Sequence, residues 1–236
     1  MKPLNKAGFT IVETMLFLGI SGLLIMGVLA GTGSSINTQR YRDSVTSLRA
    51  FLQGQYSEVS NVRNANTSVM CQGSPVDSRG RSDCVILGRL ITTIDNKKLS
   101  VRDVIGYTNP NSPQPTDDIA AIKQYNISVS SSGLAETYEV EWGSSMMQDD
   151  GNTPIDFSML IIRSPLSGVI RTFVSIPSTP STDLDSLVDT TKLTNDAKIC
   201  VDSNGLLSGT KLAVYINKNA TSASGIETLG DDSECK

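Results

Sequence analysis

Between Lys6 and Arg40 the chain carries a single charged side chain, Glu13. The 28 residues from Phe9 to Ile36 are otherwise uncharged and mostly apolar. As a helix rising ~1.5 Å per residue they reach about 42 Å, which exceeds the ~30 Å hydrocarbon core of a bilayer. The segment is therefore long enough to span a membrane. Lys2 and Lys6 precede it and Arg40, Arg42 and Arg49 follow it, so flanking charge alone sets no orientation.

The whole chain, at 236 residues, has room for one sizeable domain plus this appendage. Its 39% apolar and 19% charged content is that of a folded protein. The net charge of −4 gives no basic field for nucleic acid. Histidine is absent, which removes the usual neutral-pH base and the commonest metal ligand. Ser-His-Asp triads, HExxH zinc helices and Cys-His pairs are all excluded. No enzymatic activity and no cofactor is expected.

Four cysteines, Cys71, Cys84, Cys200 and Cys235, stand far apart, without the tight pairs that zinc requires. An even number behind a membrane segment reads as two disulfides in an oxidising compartment. That places the C-terminal bulk outside the cytoplasm.

Three readings fit the N-terminus. A secretory signal would use Val28-Leu29-Ala30 as its cleavage site, but the apolar stretch is long and has Glu13 near its head. A plain anchor leaves Glu13 as an unexplained cost. The third rests on "KAGFTIVE", which resembles the leader of type IV pilins and type II secretion pseudopilins. There a short basic leader ends in glycine, and a glutamate follows four residues after the new N-terminal phenylalanine. The resemblance implies cleavage by prepilin peptidase between Gly8 and Phe9 and N-methylation of Phe9.

It also implies a role for Glu13. A carboxylate at the centre of a membrane helix costs about 2.5–3.5 kcal/mol on insertion scales, and less near the interface. In pilins its partner is the positive N-terminus of a neighbouring subunit, and the pairing sets the axial stagger of the filament. The plainer alternative is a carboxylate favoured by the helix macrodipole. Gly27 and Gly31 form a small-xxx-small pair suited to close helix packing, a weak pattern by itself. Many major pilins have a proline where this chain has Ala30, which favours a minor pilin or pseudopilin.

Past the span, Tyr41, Val45, Leu48, Leu52, Val59 and Val62 mark an amphipathic helix that ends near Asn64. This stripe is expected to pack mainly on the chain's own head, with the front half of the helix projecting. Strands are expected at 84–94, 99–107, 125–130, 137–142, within 157–176, and twice within 189–216. The pairs 125–130/137–142 and 157–176 read as hairpins, and 109–118 as a proline-rich loop. The expected fold is α+β: a long N-terminal helix packed on an antiparallel β-sandwich head. Its parts are a leader (1–8), a membrane or filament-core helix (9–36), an amphipathic helix (37–66) and a β-rich head (67–236).

"LIIRSPLSGVIRTF" and "ICVDSNG" are similar to the C-terminal domain of H-class, FimT-like minor pseudopilins. Of three possible cysteine pairings, Cys71–Cys84 with Cys200–Cys235 is expected. The second would tie the tail to a strand, as the final disulfide does in many type IV pilins. "DDGN" (149–152) and "DSLVD" (185–189) lack EF-hand spacing and read as turns rather than calcium loops. The triplets at Asn66, Asn126 and Asn219 match a glycosylation pattern common by chance. The resemblance implies a filament subunit of the inner membrane, head outward. Its partners would be other pilins or pseudopilins, prepilin peptidase, an assembly platform driven by a cytoplasmic ATPase, and lipid before assembly. A membrane-anchored binding module that never polymerises is the alternative.

Overall fold

The computed structural model describes residues 10–61, 70–71, 74–75, 84–108, 111–131, 136–180, 183–189, 196–205, 211–218, 220–230 and 235. The chain divides into two compact units, Met1–Arg40 and Tyr41–Lys236. Helix α1 (Ile11–Ser60) supplies the described part of the first and the opening residues of the second.

In the second unit α1 buries Tyr41, Val45, Leu48, Leu52, Tyr56 and Val59. Their spacing of four, three, four, four and three keeps all six on one helical face. The expected stripe skipped Tyr56, and Val62 lies outside the described residues.

After α1 come β1 (Met70–Cys71) and β2 (Ser74–Pro75), which pair with each other. Strands β3 (Cys84–Asp95) and β4 (Lys98–Tyr107) form a long hairpin closed at Asn96-Lys97. The turn is held by the Lys97 amide donating to the Asp95 carboxylate, 2.7 Å away. Helix α2 (Asp118–Gln124) follows, capped by Asp117, whose carboxylate accepts from the Ala120 amide. Next are β5 (Ser128–Val129), β6 (Glu136–Glu139), β7 (Ser145–Met147), β8 (Ser158–Arg163) and β9 (Ile170–Ser175). Helix α3 (Leu184–Leu187), β10 (Ala197–Asp202), β11 (Leu212–Ile216) and β12 (Ile226–Leu229) complete the order.

One six-stranded antiparallel sheet runs β5-β4-β3-β8-β9, with β6 also on β4. A four-stranded sheet runs β12-β11-β10-β7. The β8–β9 hairpin forms as expected, but β5 and β6 do not pair with each other. Both lie against β4, β5 at Val104–Ile105 and β6 at Lys98–Val101. Extended segments were expected where β3 to β6 and β8 to β11 lie. Glu141 and Trp142, read as strand, belong instead to a 3-10 turn, Glu141–Gly143, and β1, β2, β7 and β12 were not expected. Two neighbours on one edge were mistaken for a hairpin.

The six-stranded sheet is covered on both faces. Ile91, Leu99, Val101, Met159, Ile161 and Val174 join the α1 stripe and Ile199, Val201, Val214, Ile216 and Ile226 of the other sheet in one core. Leu90, Val104, Leu160, Ile162 and Phe173 meet Ile122 of α2 and Leu184 and Leu187 of α3 in a second. The class is α+β with antiparallel sheets, as expected. The sheets are open, and a helix shares the core between their residues, so a two-sheet sandwich is not established. Gly88, at a register shift between β3 and β4, lies against β8. A Cβ there would stand 2.1 Å from the Ile161 carbonyl oxygen, so the close approach requires glycine.

Polar groups fasten α1 to the sheets. The Thr172 hydroxyl donates to the Ala220 carbonyl and therefore accepts from the Tyr56 phenol, both at 2.7 Å. Burial pushes the Tyr56 pKa up to about 12. Arg89 of β3 reaches Gln55 at 2.7 Å and Glu58 at 3.6 Å on α1, Asp103 at 3.5 Å and Glu136 at 3.2 Å. Burial raises the Asp103 pKa, and the Arg89 guanidinium opposes that rise.

Candidate functional site

The described part of the first unit is helical from Ile11, and its start is chemically specific. The Thr10 amide and hydroxyl both donate to Glu13 Oε2, at 3.0 and 3.1 Å. The Glu13 amide returns a hydrogen bond to Thr10 Oγ1 at 3.3 Å. This reciprocal pattern, Thr-x-x-Glu, is a capping box, which satisfies amides that a helix start leaves unpaired. Thr10 was not singled out as a site residue, although its spacing to Glu13 is a visible signal. The Glu13 carboxylate thus has a partner within its own chain.

Beyond it, large apolar side chains point outward on every side. Ile11, Val12, Met15, Leu16, Phe17, Leu18, Leu23, Leu24, Met26, Val28 and Leu29 are all exposed. The helix is long and apolar enough to cross a membrane. An aqueous surface does not carry such a helix uncovered, since the exposed apolar area far exceeds a normal surface patch. Gly27 and Gly31 sit four residues apart, one helical turn, with open space where each Cβ would be. A second helix backbone could approach closely there. The proposed cleavage residues Gly8 and Phe9 lie outside the described residues.

In the second unit Cys200 of β10 is bonded to Cys235, with Cα atoms 5.9 Å apart. Both are buried, beside Ala213. Cys84 is also in a disulfide. The side chain of Cys71, its expected partner, is outside what the structure describes. The "DDGN" stretch is a turn in which Asp150 accepts from the amides of Asn152 and Thr153, at 2.9 and 2.8 Å, and from the Thr153 hydroxyl. Those bonds hold its carboxyl below the usual carboxylate range. Asp185 lies in the first turn of α3, which Asp183 caps, and Asn66 and Asn219 are outside the described residues. Among the described residues no cluster of three or more acidic or cysteine side chains has a geometry that could hold a metal.

A further carboxylate is strongly engaged. Asp118 of α2 accepts from Arg171 of β9 at 2.7 Å and from the Ser164 hydroxyl at 2.7 Å. The Arg171 hydrogen bond, aided by Ser164 and Ser167, holds its pKa at about 2. These contacts pin α2 to the β8–β9 hairpin and describe a structural clamp.

No family model, curated protein or solved structure matches the chain. The functional reading therefore rests on the residues themselves.

Proposed function

We propose that this chain is a structural subunit, a minor pilin or pseudopilin, of a bacterial type IV pilus or type II secretion-like filament. The observation that carries the reading is a helix exposed and apolar on all sides that begins within "KAGFTIVE" and has that motif's glutamate, Glu13, in its first turn. Prepilin peptidase would cut between Gly8 and Phe9, and Phe9 would become N-methylated. The subunit waits in the inner membrane with its head outside the cytoplasm, then leaves the lipid as its helix joins a filament core. Gly27 and Gly31 admit neighbouring helices, and Glu13 takes the amine of an adjacent subunit as its counter-charge. The head does mechanical and structural work, without catalysis. An assembly platform and other pilins or pseudopilins are its partners.

The mass of the mature N-terminal peptide tests the reading. A peptide that begins with N-methylated Phe9 supports it. An uncut Met1, or a start near Gly31, overturns it.

The capping box favours one rival. With Thr10 already satisfying Glu13, the carboxylate needs no neighbour to be tolerated near the membrane surface. A membrane-anchored binding module that never polymerises would use Glu13 only in this way.

A further inference from the structure

Beside α2 the head has a concavity of about 270 Å³. Pro113 and Pro115 of the loop before α2, with Pro165 and Leu166 at the β8–β9 turn, give it apolar walls. Ser112 and Gln114 of that loop, and Gln124 and Tyr125 at the end of α2, supply its polar groups. These pieces are fastened together. The Ser164 hydroxyl donates to Asp118 of α2 at 2.7 Å and accepts from the Leu166 amide at 3.2 Å. The Asp118 clamp thus positions the turn that carries Pro165 and Leu166. The Gln124 side-chain amide donates to the Pro113 carbonyl at 2.6 Å, which ties the loop to α2. The Tyr107 amide, at the end of β4, donates to the Tyr125 carbonyl at 2.7 Å. A site whose walls already stand in place loses less on binding than one that must first be ordered.

The lining narrows the ligand. None of these side chains is charged, and among the described residues no Asp, Glu, Lys or Arg lines the concavity. An ion seated there would lose water without gaining a counter-charge. A wholly apolar guest would leave polar groups dry. The Gln114 amide, the Ser112 and Tyr125 hydroxyls and Gln124 Oε1 have no protein partner among the described residues, so they are open to a ligand. Together they offer both donors and acceptors. A sugar ring matches this pattern, with hydroxyls for those groups and C–H faces for the prolines, Leu166 and the Tyr125 ring. The volume lies just below the ~300–1,000 Å³ of pockets for drug-sized ligands, which suits a single ring.

We infer that the concavity between α2, the 111–116 loop and the β8–β9 turn is a binding site for an uncharged sugar, taken up as one ring. Ser112, Gln114, Gln124 and Tyr125 hold its hydroxyls, and the Asp118 clamp acts as a positioning device for the far wall. The inference uses the second unit alone and does not depend on the proposed filament role.

The test is saturation-transfer difference NMR on the full chain in a sugar-free detergent. The probes are the methyl glycosides of glucose, galactose, mannose and N-acetylglucosamine, with sialyllactose, a proline-rich peptide and a DNA oligonucleotide as competing classes. The expected result is saturation of the ring protons of at least one neutral glycoside. Gln114→Ala combined with Tyr125→Phe removes hydrogen bonds and keeps the aromatic ring, so affinity should fall about tenfold. Leu166 is half exposed, so Leu166→Arg can fill the mouth without disturbing the core, and it should abolish the signal at an unchanged denaturant midpoint. If the double variant does not fold, Leu166→Arg alone decides. No signal from any neutral glycoside at millimolar concentration overturns the site. Stronger binding of sialyllactose, the peptide or DNA overturns its assignment to an uncharged sugar. A signal that survives Leu166→Arg puts the sugar elsewhere and overturns the site equally.

Discussion

Residues 11–36 and 41–59 lie on one helix and differ in how their apolar side chains are used. The first stretch is apolar all round and exposed, whereas the second has a single stripe, wholly buried within the folded unit. A stripe is what a helix needs to pack on one neighbouring layer; an all-round apolar surface needs lipid or several other helices. The head is therefore satisfied by its own residues, and the front of the helix is not. Among the described residues, most of the exposed large apolar side chains lie before Arg40.

That contrast can be attacked from either side, and the largest effect is expected at Glu13. Glu13→Gln keeps the capping box, because glutamine serves at that position, and removes only the charge. Losing one member of a buried charge pair costs about 3–5 kcal/mol, so incorporation should fall more than about a hundredfold. The amount of the variant in sheared filaments or cross-linked oligomers measures it. Wild-type incorporation would leave Glu13 as a helix cap alone.

The next effect belongs to the head. Replacing Cys200 and Cys235 together by serine opens a loop of 35 residues. Chain-entropy reasoning sets the loss near 4 kcal/mol, read as a lower denaturant midpoint for the detergent-held chain. Membrane insertion should not change; if it did, the independence of the two regions would fail.

A matched pair of leucines sharpens the contrast directly. Leu48 is 0% exposed and Leu23 is 72% exposed. Leu48→Ala should cost about 3 kcal/mol in denaturant unfolding, within the range for buried leucines. Leu23→Ala should leave that unfolding unchanged. Equal losses would mean that the front half is also packed within the folded chain.

The smallest effect is a pH dependence confined to the head. The folded pKa of Asp118, about 2, lies below its ordinary 3.8. Its stabilisation is therefore fully present above about pH 4 and is lost as pH falls through about 2. Asp118→Asn should flatten the fall of the urea midpoint across that window. Asp103, raised by burial, works in the opposite sense, because its ionisation opposes folding as pH rises.

Much of this was readable from residue spacing. Tyr41, Val45, Leu48 and Leu52 recur at helical intervals, and the buried face follows them. Tyr56 was passed over although it stands four residues after Leu52 on the same face; its phenol donates to Thr172 inside the core. Helix α2 falls in the gap between the loop read at 109–118 and the strand read from 125, where no element was expected, even though Asp117 is a good cap and Ile122 fills the core. The β5/β6 error has a different cause. Turn-like spacing between extended segments cannot reveal that β4 is long enough to hold both on one edge. At the candidate site Glu13 stood out as a lone charge, while its partner Thr10 required reading the pair as a cap. Glu141 and Trp142, read as the end of a strand, form a 3-10 turn because Glu141, Gly143 and Ser144 bond to Ser47, Asn204 and Ser44, far away in sequence.

Tyr41 is the first residue of the folded unit, and its phenol donates to the Val201 carbonyl and accepts from the Leu212 amide. Those two residues form the end rung of the β10–β11 ladder. Under the proposed function, a pull along the backbone from residue 40 would first meet a side chain cross-braced to a sheet whose neighbouring rung, Cys200–Ala213, includes a disulfide-bonded cysteine. A subunit hauled by its tail would bear the load on covalent and ladder bonds together, and Tyr41→Phe would cut that path without removing a single carbon atom.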